Sequence, residues 1–124
     1  MELARKFATS FEVERKAFAN SFANLLSAGD AHLSVAELEN KTVGYVLGFD
    51  HFTFFANGRV AWVEEIMVLE DFRRQGIGKL LMEDFEQWAS LRGSKLIALA
   101  TRRASSFYQA LGYDESAVYF RKRL

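Results

Sequence analysis

A chain of 124 residues, half of them apolar and 15% aromatic, can bury one proper core. Sixteen basic residues balance sixteen acidic ones, so there is no overall positive field to attract nucleic acid or an anionic membrane. Cysteine is absent and the two histidines, His32 and His51, have no ligand-spaced companions, which excludes a disulfide framework and argues against a metal site.

The opening stretch MELARKFATSF lacks the apolar run of a secretory signal, and no run is apolar enough to span a bilayer. The expectation is a soluble cytoplasmic protein forming one domain over residues 1–124, without linkers or repeats. In chain order, Leu3, Phe7, Phe11, Phe18, Phe22 and Leu25 fall on one helical stripe. TSFE from Thr9 reads as a capping box where the helix restarts, and Gly29 as its stop. Three strand-like runs follow: His32–Glu39, Thr42–Phe55 and Arg59–Val68. Turns at Asn40-Lys41 and Asn57-Gly58 join them into an antiparallel meander. In the middle run Val43, Tyr45, Leu47 and Phe49 share one face, while Gly44, Val46 and Gly48 leave the other small and apolar, so both faces need a cover.

One cover is the next helix, where Ile77, Leu80, Leu81, Phe85, Trp88 and Leu91 recur at helical spacing before Gly93. KLIALA is then a short strand, RASSFYQAL a helix stopped by Gly112, and SAVYFRKRL a final strand. A strand, a helix and another strand imply a parallel crossover. The expected fold is α/β (α+β): a mixed, mainly antiparallel central sheet with helices on both faces.

At the entrance of the second long helix, Gly76 and Gly78 lie beside Arg73, Arg74 and Lys79. A helix N-terminus presents unpaired N–H groups and the positive end of the macrodipole, and glycine permits close approach, so this segment can cradle a phosphate. It lacks the third glycine of the dinucleotide fingerprint and the lysine-serine or lysine-threonine pair of a P-loop. Taken alone, it reads more readily as a relaxed turn with solvated arginines.

VEEIMV, LEDF and RRQGIGKLLM in succession, with FYQALGY downstream, resemble the acetyl-CoA signature and the tyrosine-bearing helix of the GNAT N-acetyltransferases, over about residues 30 to 124. The resemblance implies that Ile66, Met67 and Val68 pair their backbone with pantetheine. It also implies that Arg73, Arg74, Gln75, Gly76, Ile77, Gly78 and Lys79 hold the pyrophosphate, and that Tyr108 protonates the departing CoA thiolate. Thr101 stands near the position where many members have a cofactor-binding asparagine, Glu70 replaces a common loop proline, and helix replaces the usual first strand.

Acetyl transfer to an amine needs a base, because an amine of pKa about 10.4 is protonated at pH 7. Glu64 and Glu65 are the candidates, and strict alternation places Glu64 on the face of Trp62 and Ile66 and allows only one of the two carboxylates inward. A bulge would reverse that parity. Glu64 is the expected base, and His51, Phe52, Phe54 and Phe55 are candidates for the acceptor pocket. The expected activity is transfer of acetyl from acetyl-CoA to a primary amine by direct attack in a ternary complex, releasing CoA. The alternative is a non-catalytic acyl-CoA-binding module. No metal, nucleic acid or membrane is expected. Without a first strand, His32–Glu39 becomes an apolar sheet edge, which predicts a homodimer.

Overall fold

The computed structural model describes residues 1–7, 12 and 14–124. The capping box read from Thr9 lies outside these residues. The described elements are α1 (Glu2–Phe7), α2 (Arg15–Ser27), β1 (Ala31–Leu38), β2 (Lys41–Thr53), β3 (Gly58–Val68), a 3-10 turn (Glu70–Phe72), α3 (Ile77–Leu91), β4 (Leu96–Leu99) and α4 (Ser105–Ala110). The sheet has the order β1-β2-β3-β4, with the first two pairings antiparallel and the last parallel. The meander and the crossover are those the patterning predicts. No helix among the described residues is long and apolar enough to cross a membrane.

The first turn sits one residue earlier than expected. Leu38 pairs with Lys41, so Glu39 and Asn40 form the loop, and both adopt the positive φ, 52° and 64°, that a two-residue hairpin requires. The second turn is also earlier than Asn57-Gly58: Thr53 pairs with Gly58, so residues 54–57 form a four-residue loop, and Asn57, at φ 60°, leads into β3.

The main core lies between the sheet and α3, where Val46, Ala61 and Val63 meet Leu81, Met82, Phe85 and Ala89. Gly93, at φ 82°, ends α3 in a Schellman motif: its N–H bonds to Ser90 O and that of Ser94 to Ala89 O, both at 3.0 Å. Beside that end, buried Asp50 of β2 accepts both guanidinium N–H groups that Arg92 directs at it, with Arg59 3.9 Å away. The hydrogen bond to Asp50 is the main reason the Arg92 pKa is raised. A carboxylate is tolerated at this depth because it is paired on more than one side.

The sheet's other face is covered differently. α1 and α2 lie over it, yet α2 has no buried side chain. The expected final strand is absent: residues 113–124 make no strand pairing among the described residues, and Val118, Tyr119 and Phe120 are exposed. Their alternation registers strand propensity, but propensity does not bring a segment into register with an edge, and the outer edge of β4 has no strand partner among the described residues.

Candidate active site

Two strands part company in the middle of β3. With β2, β3 stays paired as far as Gly44↔Val68, but with β4 only as far as Val63↔Leu99. Beyond Val63 the backbone edge of Glu64–Val68 no longer has β4 beside it, and a cleft opens between that edge and the chain running from Ala100 into α4. The parting coincides with a bulge. Leu47 pairs with Glu65 and Gly48 with Val63, so Glu64 is a surplus residue on β3.

The bulge corrects the parity argument. Ile66 packs toward the α3 core, whereas Trp62 shares the opposite face with its partner Phe49. The two residues expected beside Glu64 are therefore on different sides. Glu64 goes with Trp62, whose indole Nε1–H donates to its Oε2 at 2.8 Å. Glu65, opposite Leu47, accepts the Tyr45 hydroxyl proton at 2.7 Å. Both carboxylates thus serve the α1–α2 side, where strict alternation allowed one. Tyr45 is buried, and burial, then its hydrogen bond to Glu65, holds its phenol far above the usual range, so it stays a donor.

At the lower end of the cleft, the loop from Arg73 to Gly76 enters α3 through two left-handed residues, Arg74 at φ 64° and Gly76 at φ 82°. Holding a non-glycine residue there costs about 1–2 kcal/mol. No side chain caps α3, and its first intrahelical bond to the loop is Leu80 N–H to Gly76 O at 3.1 Å. The earlier amides at this helix start are therefore available to an anion. The two glycines serve different purposes. Around Gly76 an added Cβ would meet nothing within 4 Å, so its freedom is conformational and leaves the approach open. At Gly78 the Cβ would lie 3.2 Å from the Phe107 ring, so this glycine lets α4 close against α3. Arg73 serves the loop itself, donating from Nε to Val68 O at 2.9 Å.

Tyr108 is brought to the cleft by the local logic of FYQALGY. Gly112, at φ 92°, closes α4 in a second Schellman motif, with its N–H on Gln109 O and that of Tyr113 on Tyr108 O, both at 3.0 Å. The aromatic after the glycine then packs edge-on against Tyr108, with centroids 5.9 Å apart, and its hydroxyl donates to Glu86 of α3 at 2.6 Å. Burial pushes the Tyr108 phenol up from its ordinary value, so it is protonated at neutral pH. Thr101 Oγ1 accepts the Ala104 N–H at 3.1 Å, organising the entry to α4 while keeping its own O–H to donate.

The cleft thus brings together Glu64, Tyr108, Ile66, Met67, Val68, Arg73, Arg74, Gly76, Ile77, Gly78, Lys79 and Thr101; Gln75 is exposed and does not line it. His51, Phe52, Phe54 and Phe55 do not line it either. They belong to the β2–β3 hairpin, and Gly58 to Glu64 alone spans about 20 Å at about 3.3 Å per residue. Arg102 and Arg103, which the sequence reading missed, add two cations to the lining. Their signal was the pair of arginines directly after Thr101. With a volume of about 1640 Å³, the cleft exceeds the about 300–1,000 Å³ of a site for one small ligand, and leaves room for two molecules at once.

Gly78→Val tests the entrance. A valine there crowds the Phe107 ring, whose helix also carries Tyr108, and adds bulk at the helix start. The acetyl-CoA dissociation constant should rise at least about tenfold, or about 1.4 kcal/mol, while the fold persists. Calorimetric titration measures it, and an unchanged constant in a folded variant would remove the anion site.

The chain matches the acetyltransferase (GNAT) family over residues 1–113. It is 32% identical over 106 residues to an aminoglycoside N(6')-acetyltransferase type 1 of Acinetobacter genomosp. 13, covering 81% of this chain and 69% of that protein. It is 30% identical over 117 residues to the aminoalkylphosphonate N-acetyltransferase of Salmonella typhimurium, covering 91% and 76%. The fold superposes with a TM-score of 0.83, at 22% identity, on an aminoglycoside N-acetyltransferase determined in complex with CoA, covering 99% of this chain and 86% of that one.

Proposed function

Because the chain belongs to the acetyltransferase (GNAT) family, it is an acetyl-CoA-dependent N-acetyltransferase, and we propose that its reaction runs in the cleft between β3 and β4 by direct attack of a primary amine on the thioester. The observation that carries this reading is the parting of the two strands at the Glu64 bulge. It leaves an unpaired strand edge, onto which an extended, amide-bearing arm can add as a further strand would. At one end of that edge lie the α3 amides with Arg74 and Lys79, suited to a pyrophosphate, and at the other the Glu64 carboxylate.

In this reading Glu64 takes a proton from the ammonium, directly or through water, and frees the nitrogen lone pair. The nitrogen attacks the thioester carbonyl, a C–N bond forms, and collapse of the adduct breaks the C–S bond. Tyr108 gives its phenolic proton to the leaving thiolate, and the second proton that the nitrogen loses on becoming an amide returns to the phenolate through water. The chain has no cysteine to carry an acyl intermediate, so both substrates occupy the cleft together. Ile66, Met67 and Val68 are assigned to the pantetheine arm, and Arg73, Ile77, Gly78 and Thr101 to holding the loop and the nucleotide end, while Gln75, outside the cleft lining, is assigned no contact. A panel of amines assayed for CoA thiol release in the presence of acetyl-CoA tests the reaction. Release that no amine accelerates would sink it.

Tyr108→Phe keeps the ring that Tyr113 packs against and removes the proton. A CoA thiol of pKa about 8.5 leaves tolerably unaided, so turnover should fall about tenfold with little change in melting temperature. Parent turnover in this variant would confine Tyr108 to packing.

A homodimer through β1 belongs to the same proposal. β1 is a sheet edge, and Val35 and Leu38 are 54% and 41% exposed. Light scattering at micromolar concentration should give twice the 14.1 kDa chain mass, and a monomer mass would reject it.

A further inference from the structure

We infer that the acceptor of this enzyme is an amine with one positive charge on an apolar body, alkyl or aryl, and that a polyhydroxylated or polycationic frame is disfavoured; the inference rests on the acetyl-transfer reading of the same cleft. On the α1–α2 side of the sheet, the register sets Leu33 and Val35 of β1, Tyr45 and Leu47 of β2, and Trp62 and Met67 of β3 beside one another. All six line the cleft, and α2 presents Phe18 and Phe22 to it.

In an ordinary core such surfaces close on each other. Here they do not: Phe22 stays 40% exposed and Val35 54% exposed, and α2 buries nothing, whereas α3 on the opposite face buries Leu81, Met82, Phe85 and Ala89. Two apolar walls therefore stand apart with room between them. Three carboxylates among the described residues line the cleft: Glu14 before the start of α2, and Glu64 and Glu65 on the sheet side, where Glu64 accepts the Trp62 indole N–H and Glu65, half-buried, the Tyr45 hydroxyl proton. Glu64, the more exposed of the two, bonds the indole through Oε2 and presents Oε1 to one ammonium group, while Lys6, Arg102 and Arg103 in the same lining oppose a second positive charge. Hydroxyl groups of a sugar-like acceptor would face Leu33, Leu47 and Phe18, desolvated without a replacement hydrogen bond. Methylene groups in the same place would gain from leaving water.

The test is a series of n-alkylamines from ethyl to hexyl, with glucosamine and spermidine as comparators. kcat/KM should climb about fourfold per methylene over the first few carbons, as full burial of each predicts. n-Hexylamine should exceed both comparators. A flat series, or preference for glucosamine or spermidine, overturns the inference. Calorimetric titration of ethylamine and n-hexylamine into the protein saturated with CoA gives a readout that needs no turnover. Tighter binding of n-hexylamine without any acetyl transfer would keep the apolar site and remove the catalytic reading. Equal binding would remove the apolar site whatever the turnover. Phe22→Ser, at a partly exposed position, should lower the slope of the series, and an unchanged slope overturns α2 as its wall.

Discussion

Glu64→Gln is expected to lower the amine-dependent rate by about 100-fold or more near neutral pH, the size of a general-base contribution, with acetyl-CoA affinity unchanged. The amide keeps an oxygen that can accept the Trp62 indole proton, so the bulge should hold its shape. What disappears is the capacity to take a proton. The loss should shrink as pH rises, because more of an amine of pKa about 10.4 then arrives deprotonated, whereas a misfolded or distorted site would show no such recovery. Steady-state rates from pH 6 to 9 decide the matter. Parent rates across that range would transfer the role to Glu65, which the bulge places on the same side, or to an ordered water.

Gly48→Val should be the most disruptive single change to stability. An added Cβ at this position would run into the Phe85 ring and lie 2.5 Å from the Trp62 carbonyl oxygen, closer than real contacts come. Phe85 is fully buried and cannot swing aside, and the carbonyl belongs to the neighbouring strand. Overpacking a closed core typically costs about 1–3 kcal/mol, and a backbone contact raises this to about 4 kcal/mol or more. A fall in melting temperature of about 10 °C or more, or no soluble protein at all, is the expected result. Gly29→Ala is the control, since its Cβ would meet nothing within 4 Å and its stability should hardly move. A fully stable Gly48→Val would mean that β2 and α3 are not packed as described. Gly48 also pairs with Val63, the last β3 residue before the bulge. The contact that makes glycine necessary therefore lies next to the place where the cleft begins.

Several parts of the site were legible because each is settled within a few residues of chain. The segment from Arg73 to Lys79 holds its charges, its left-handed residues and its helix start in seven consecutive positions. FYQALGY is likewise self-contained: a glycine at the helix end fixes the two closing hydrogen bonds, and the aromatic after it meets the tyrosine five residues back. The meander followed from alternation and turn residues, and the α3 face from helical spacing. These are short-range regularities of backbone geometry, and the local order of residues carries them.

The choice between the two glutamates could not be read in this way. Alternation assumes one residue on β3 for each on β2, and whether that holds is a property of two strands paired together, decided where Gly48 admits Phe85 and Val63. One surplus residue sent Trp62 and Ile66 to opposite faces and brought Glu64 and Glu65 to the same side. The aromatic hairpin failed as an acceptor pocket for a related reason: its residues are rich in recognition chemistry, but strand length carries them to the wrong end of the sheet. The tail from Tyr113 to Leu124 has the composition of a strand and makes no strand pairing, although β4 offers an outer edge, since propensity does not decide where a segment is placed. The sequence by itself determined what most short segments would be and where the charge lies, and the family resemblance pointed to the candidate catalytic groups. The tertiary structure decided which side of the sheet they face and where β3 and β4 separate, because register and strand parting depend on contacts between residues far apart in the chain.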